Sequence, residues 1–263
     1  MRSIPIHAAN PGPFTGAGNW TYLIPGDSPV LIDAGVGHAA HLDGVAAAAP
    51  GGPAHVLVTH AHPDHVSGSS AIHARWSSTT FSKRLWPEHD PVIDAPWQPL
   101  HDGDMVATGE GMVRALHTPG HAPDHLAFWH EESRTAFTGD LFILGATVFI
   151  PASSGGDLVQ YLQSLRRLLS LGPRRLWPAH GAVIDDPEAL IHQYLDHRHR
   201  REVQVLTALE SGHDTVDAIT TRVYAGVAQA VVPLARESVL AHLRKLEHDG
   251  LARHDGHQWT IVA

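Results

Sequence analysis

Short apolar or β-branched runs bounded by Gly, Pro and Asp recur along the first half of the chain, at Thr21–Ile24, Val30–Asp33, His55–Val58, Val113–His117, His125–Trp129 and Thr135–Thr138. Runs of this length and make-up predict strands. A different period governs Asp157–Leu171, where Leu158, Tyr161, Leu162, Leu165, Leu168 and Leu169 fall on one helical face and Gly172 supplies a stop. Strands followed by helices predict a layered α/β domain.

The texture changes at Asp186-Pro187, an N-cap followed by proline at the first helical position, which opens a helix running to Glu210 before Ser211-Gly212. Val216, Ile219 and Val223 mark a second helix, and Val239, Leu243 and Leu246 a third ended by Gly250. Leu251–His254 and Gln258–Val262 then flank Asp255-Gly256, a two-residue hairpin signal. Three helices and a hairpin outline a winged helix, so the chain divides into 1–190 and 191–263.

Composition narrows the chemistry. With 263 residues, 43% of them hydrophobic, the chain is long enough for a large domain and a small one. A net charge of −9 disfavours a protein that holds nucleic acid through a broadly basic surface, while leaving room for a local groove. The absence of cysteine removes disulfides, thiolate catalysis and sulfur-ligated zinc, so any metal must be held by nitrogen and oxygen. The 23 His are the outlying number. Met1–Pro13 has no apolar leader core, and no stretch approaches the ~18 apolar residues of a membrane span. A cytoplasmic protein without a membrane partner is the expectation.

Several histidines converge. Directly after the His55–Val58 run comes Thr59-His60-Ala61-His62-Pro63-Asp64-His65, at a strand end, where α/β folds place their chemistry. In extended backbone alternate residues share a face, so His60 and His62 point at one metal, while a turn at Pro63 sends Asp64 and His65 to a neighbouring position. Thr118-Pro119-Gly120-His121, Thr138-Gly139-Asp140 and Pro178-Ala179-His180-Gly181 supply further donors, each after a predicted strand. Zinc takes about four ligands. The expected assignment gives His60, His62 and His121 to one ion, Asp64, His65 and His180 to the other, and Asp140 to both. Two divalent ions, zinc first with manganese or iron as alternatives, would activate a bound hydroxide for hydrolysis. Asp64 can also orient the attacking water and shuttle its proton.

HxHxDH, then GH, GD and a late HG resemble the metallo-β-lactamase superfamily, which implies an αββα sandwich holding one or two metals. In that resemblance Asp33 of Leu31-Ile32-Asp33-Ala34-Gly35 orients a ligand from behind. Asn10-Pro11-Gly12-Pro13, Gly18-Asn19-Trp20-Thr21-Tyr22, Ala146–Pro151 and His197-Arg198-His199-Arg200-Arg201-Glu202 before the winged helix look like the β-lactamase-like endoribonuclease subgroup. The sequence departs from that pattern at Trp20, where the subgroup has a small hydroxyl residue. The resemblance implies cleavage of single-stranded RNA, with acyl thioester hydrolysis by close relatives as the alternative. His125, four residues after His121, is open to two readings: a group near the pocket that protonates the leaving group or hydrogen-bonds the substrate, in keeping with the same His in that subgroup, or a structural residue at the start of a strand.

A backbone grip would fall to Arg198 and Arg201, with Arg200 and the neighbouring histidines. Residues 193–263 carry 8 Lys+Arg against 9 Asp+Glu, so this segment is not a strongly basic module. It is expected to cover the active site or support a homodimer. An inert winged-helix binding protein and a true β-lactamase are the remaining readings. Intact ligands oppose the first, and the missing leader and the added domain oppose the second.

Overall fold

The computed structural model describes residues 1–262 and shows two compact units, one built from 1–118, 124–147 and 168–188, the other from 119–123, 148–167 and 189 onward. The last crossing between them lies at 188/189.

The first unit holds two sheets. One runs in the order β1 (Ile4–His7), β2 (Trp20–Ile24), β3 (Val30–Ile32), β4 (His55–Leu57), β5 (Thr80–Lys83) and β6 (Trp97–Pro99). Strands β1 to β3 pair antiparallel and β3 to β6 parallel. Parallel neighbours need crossovers, and α1 (Ala39–Ala48), α2 (Pro63–Val66) and α3 (Ser69–Arg75) supply two of them. The other sheet contains β7 (Met105–Thr108), β8 (Gly111–His117), β9 (Leu126–His130), β10 (Thr135–Ile143) and β11 (Arg175–His180), ordered β11-β10-β9-β8-β7. Only β10 and β11 pair parallel in it, and α4 (Leu158–Ser170) lies between them in the chain.

Side-chain alternation explains the layering. Tyr22, Ile24, Val30, Ile32 and Leu57 form one core with Val113, Ala115, Leu126, Phe128 and Phe137 of the other sheet. The intervening Leu23, Leu31, Val56 and Val58 pack instead with Val45, Val66 and Ile72 from the helices. A strand buried on both faces reads as a continuous apolar run, which is why β2, β3 and β4 were visible in sequence. Strands β6 and β7 were not: they are short and largely exposed or alternate in burial, as edge positions do.

In the second unit α5 (Pro187–Glu210), α6 (Val216–Val223) and α7 (Val232–His248) precede the hairpin of β12 (Ala252–His254) and β13 (Trp259–Ile261). Thr215 caps α6 by accepting from the Ala218 amide. Val205, Leu209, Ile219, Val239, Leu243, Leu246 and Trp259 form its core. These are the expected three helices and hairpin. The apolar face expected for α4 is buried at Leu158, Tyr161, Leu162, Leu165 and Leu168. Among the described residues, no helix is long and apolar enough to cross a membrane.

Candidate metal centre

The chain leaves β4 at Leu57, bends at Thr59 and Ala61, and reaches His62 in an extended conformation (φ −67°, ψ 144°), where Pro63 starts α2 from its first position. That local switch separates the motif into two directions. His60 Nε2 and His62 Nδ1 lie 2.9 Å apart, two ring nitrogens facing one another. The first turn of α2 turns Asp64 and His65 elsewhere, with the His60 and His65 rings 4.1 Å apart between centroids.

Strands β10 and β11 complete the second cluster. Their parallel register shifts twice, pairing Gly139 with Pro178 and Ile143 with His180, which brings Asp140 and His180 to the same end as α2. His65 Nε2 lies 3.4 Å from Asp64 Oδ2 and 3.3 Å from Asp140 Oδ1. His180 Nε2 lies 3.3 Å from each of the same two oxygens. Nitrogen and carboxylate oxygen thus alternate around a small ring, and His65, His60 and Asp140 form a second group of converging donors.

The donor set fits a divalent cation. His65 Nε2 is buried and makes no well-aligned hydrogen bond despite two carboxylates close by, a geometry suited to a lone pair aimed at an ion. Burial alone would raise the Asp64 and Asp140 carboxyls, but the positive charge of His65 and the polar contacts of the two imidazoles hold both well below the usual range. Burial would lower His180, yet the charge of Asp140 and the contacts with Asp140 and Asp64 carry it up to about 9. The carboxylates therefore demand positive charge here, from protons or from metal.

Asp33 stands behind this cluster. Its Oδ1 accepts from the Thr59 amide at 2.7 Å and its Oδ2 from His65 Nδ1 at 2.8 Å. The Thr59 hydroxyl adds a bond of 2.9 Å to Oδ1. Asp33 adopts a left-handed backbone (φ 64°), a conformation Asp and Asn tolerate better than most residues.

His125, its ring 5.1 Å from that of His60, makes the contacts of the structural reading. It is fully buried, its Nδ1 lies 2.9 Å from the Thr118 hydroxyl, and its Nε2 accepts from the Asp140 amide at 3.2 Å. A nitrogen that accepts from a backbone amide carries no proton to give, so His125 braces the Gly139–Asp140 turn. The fit is tight: at Gly139 (φ 47°) a Cβ would lie 2.7 Å from His125 Nε2 and 2.9 Å from the Thr59 side chain.

His121 belongs to the second unit, where its Nδ1 lies 2.7 Å from the Phe149 carbonyl. Donation from Nδ1 leaves Nε2 as the ring atom through which His121 can act as a ligand.

The two arginines expected to grip a backbone are engaged within the protein. Arg198 is 4% exposed, its guanidinium donates to the Val148 carbonyl and lies 5.3 Å from the Tyr161 ring. Arg201 is half-buried, with its guanidinium carbon 4.0 Å from the Tyr224 ring centroid. Neither presents an open cation to a nucleic-acid backbone. Helical spacing alone did not tell these two from the exposed Arg200. Lys83, buried and paired with Asp124 next to His125, carries no motif signal in the sequence.

Residues 14–180 match the metallo-beta-lactamase superfamily, and residues 215–259 match the beta-lactamase associated winged helix domain. The chain is 32% identical over 255 residues to a beta-lactamase-like protein 2 homolog of Caenorhabditis elegans, covering 92% of this chain and 83% of that protein. It is 34% identical over 214 residues to an atrochrysone carboxyl ACP thioesterase of Aspergillus fumigatus, covering 80% of this chain and 65% of that protein. A metallo-beta-lactamase family protein from Thermus thermophilus shares the fold at a TM-score of 0.82 and 20% identity, over 99% of this chain and 98% of that one. The chain belongs to the metallo-β-lactamase superfamily: it is a hydrolase of that fold, with a winged helix after the catalytic domain.

Proposed function

We propose that the chain is a dinuclear metallo-hydrolase that cleaves acyl thioesters. His60, His62 and His121 would hold one divalent ion and Asp64, His65 and His180 the other, with Asp140 a further donor beside His60 and His65. Zinc suits an all-imidazole and carboxylate set, and manganese or iron can occupy the same donors. Bound there, the pair supplies Lewis-acid activation of water and of the scissile carbonyl.

The protein's own groups do the rest. Asp33 and Thr59 hold His65 in one tautomer, and His125 holds the turn that presents Asp140. Asp64, kept ionised by its histidine neighbours, orients the attacking water and takes its proton at Oδ1, the oxygen other than the one nearest His65 and His180. Water oxygen adds to the acyl carbon, the carbon–sulfur bond breaks, and the thiol leaves with the proton.

The observation that carries the substrate class is the burial of Arg198, which withdraws one of the two arginines read as a phosphate grip into the interior of its own unit. Two further features support an acyl group. Leu144 is half exposed directly after Ile143, the residue paired with His180, so the rim beside that ligand is apolar. A relative sharing 34% identity is named a thioesterase.

Thiol release from a series of acyl-coenzyme A esters by zinc-loaded protein, with Asp64→Ala as control and labelled single-stranded RNA in parallel, tests the reading. Thiol release lost in the variant is expected. RNA cleavage lost in the variant, with no thiol release by wild type, would replace this substrate by the phosphodiester.

A further inference from the structure

Lys83, the last residue of β5, is fully buried. Its ammonium donates to the Arg84 carbonyl at 2.6 Å, lies 3.0 Å from Asp124 Oδ2 and contacts the Asp90 carboxylate. Asp90 is tied in turn to the Trp86 amide at 2.9 Å. Asp124 is 2% exposed, and Lys83 is the only cation paired with it in the described residues. Burying one ammonium among two carboxylates is costly, and apolar residues of similar volume would serve stability as well. The arrangement calls for a positional explanation.

That explanation lies in the two residues after Asp124. His125 Nε2 accepts the Asp140 amide, and the His125 carbonyl accepts the Thr118 amide at 2.9 Å. The Leu126 amide donates to the Thr59 carbonyl at 2.7 Å, immediately before His60. From one anchored carboxylate the chain thus reaches both sides of the donor cluster, Asp140 on β10 and the segment that follows β4.

We propose that Lys83 is a positioning residue of the metal centre: by clamping Asp124 at the start of β9 it fixes, through His125 and Leu126, the placement of Asp140 and His60. The inference rests on reading the cluster as a metal centre. What matters is the tether: the ends of β5 and β9, strands of different sheets, are joined one residue before His125.

The test measures zinc affinity by chelator competition, melting temperature and the visible spectrum of the cobalt-substituted full-length chain. The variants are Lys83→Met and Asp124→Asn, with Val45→Ala as a control that loosens the helix-side core away from the clamp. The clamp predicts zinc binding weakened about 10- to 100-fold in Lys83→Met or Asp124→Asn, an altered cobalt spectrum, and an unchanged affinity in Val45→Ala. If Lys83→Met does not fold, the isosteric Asp124→Asn decides. Wild-type affinity in the folded variants, or an equal loss in Val45→Ala, overturns the clamp alone. A wild-type chain that binds no zinc overturns the metal centre and the clamp together.

Discussion

His65 Nδ1 donates a 2.8 Å hydrogen bond to Asp33 Oδ2, and this contact turns the opposite ring nitrogen toward Asp64 and Asp140. An imidazole ligand held from behind by a carboxylate keeps one tautomer and gains basicity, so the second carboxylate is part of the affinity of the site. Asp33 comes from the end of β3 and His65 from α2, and the left-handed backbone at Asp33 is what aims its side chain across.

Asp33→Asn tests that relationship, because asparagine tolerates the same backbone conformation. Zinc affinity is expected to fall about 10- to 100-fold, read by chelator competition. Unchanged affinity would show that His65 is oriented by its other neighbours alone.

The two signs of charge in the cluster give a pH signature. In the metal-free chain, burial is outweighed by Asp140 and by contacts with the carboxylates, and His180 rises from 6.5 to about 9. A group more basic in the folded state contributes its full stability below about pH 6.5 and loses it as pH rises to about 9. Asp64 is lowered instead, so its contribution is present above its usual value of 3.8 and is lost only as pH falls below it. The melting temperature of metal-free protein should therefore decline between pH 6.5 and 9, with a flatter profile in His180→Asn. Zinc, by displacing the proton, should remove the decline. Equal slopes in wild type and variant would contradict the coupling.

Arg198→Ala should behave as a stability variant. The guanidinium is buried against a backbone carbonyl and the Tyr161 ring, and removing a charged hydrogen-bond partner of that kind costs about 1.5–3 kcal/mol. Urea denaturation should show the loss, while kcat and KM of the remaining folded protein stay near wild type. The exposed Arg200→Ala should change neither. A large KM increase in Arg198→Ala at full stability would restore the substrate-grip reading.

The ligand motif was legible because its geometry is local: His60, His62, Asp64 and His65 are placed by one strand end and one proline-initiated turn. Strands β2 to β4 were legible as continuous apolar runs buried on both faces, and the winged helix because burial follows its helical periodicity. Arg198 was misread because three of four consecutive residues are arginine and helical phase alone does not say which points inward. His125 stayed open between a pocket group and a structural residue for a related reason, since its role depends on which strand lies beside β9. Lys83 required more still: β5 and β9 lie in different sheets, and only the three-dimensional arrangement brings Lys83 to Asp124.

Whether the donors form two metal positions is read by native mass spectrometry of zinc-reconstituted protein. Two zinc ions per chain are expected, falling to one in a His60→Ala/His62→Ala variant. A wild-type chain that carries fewer than two ions, or a variant that keeps both, would contradict the two-position reading.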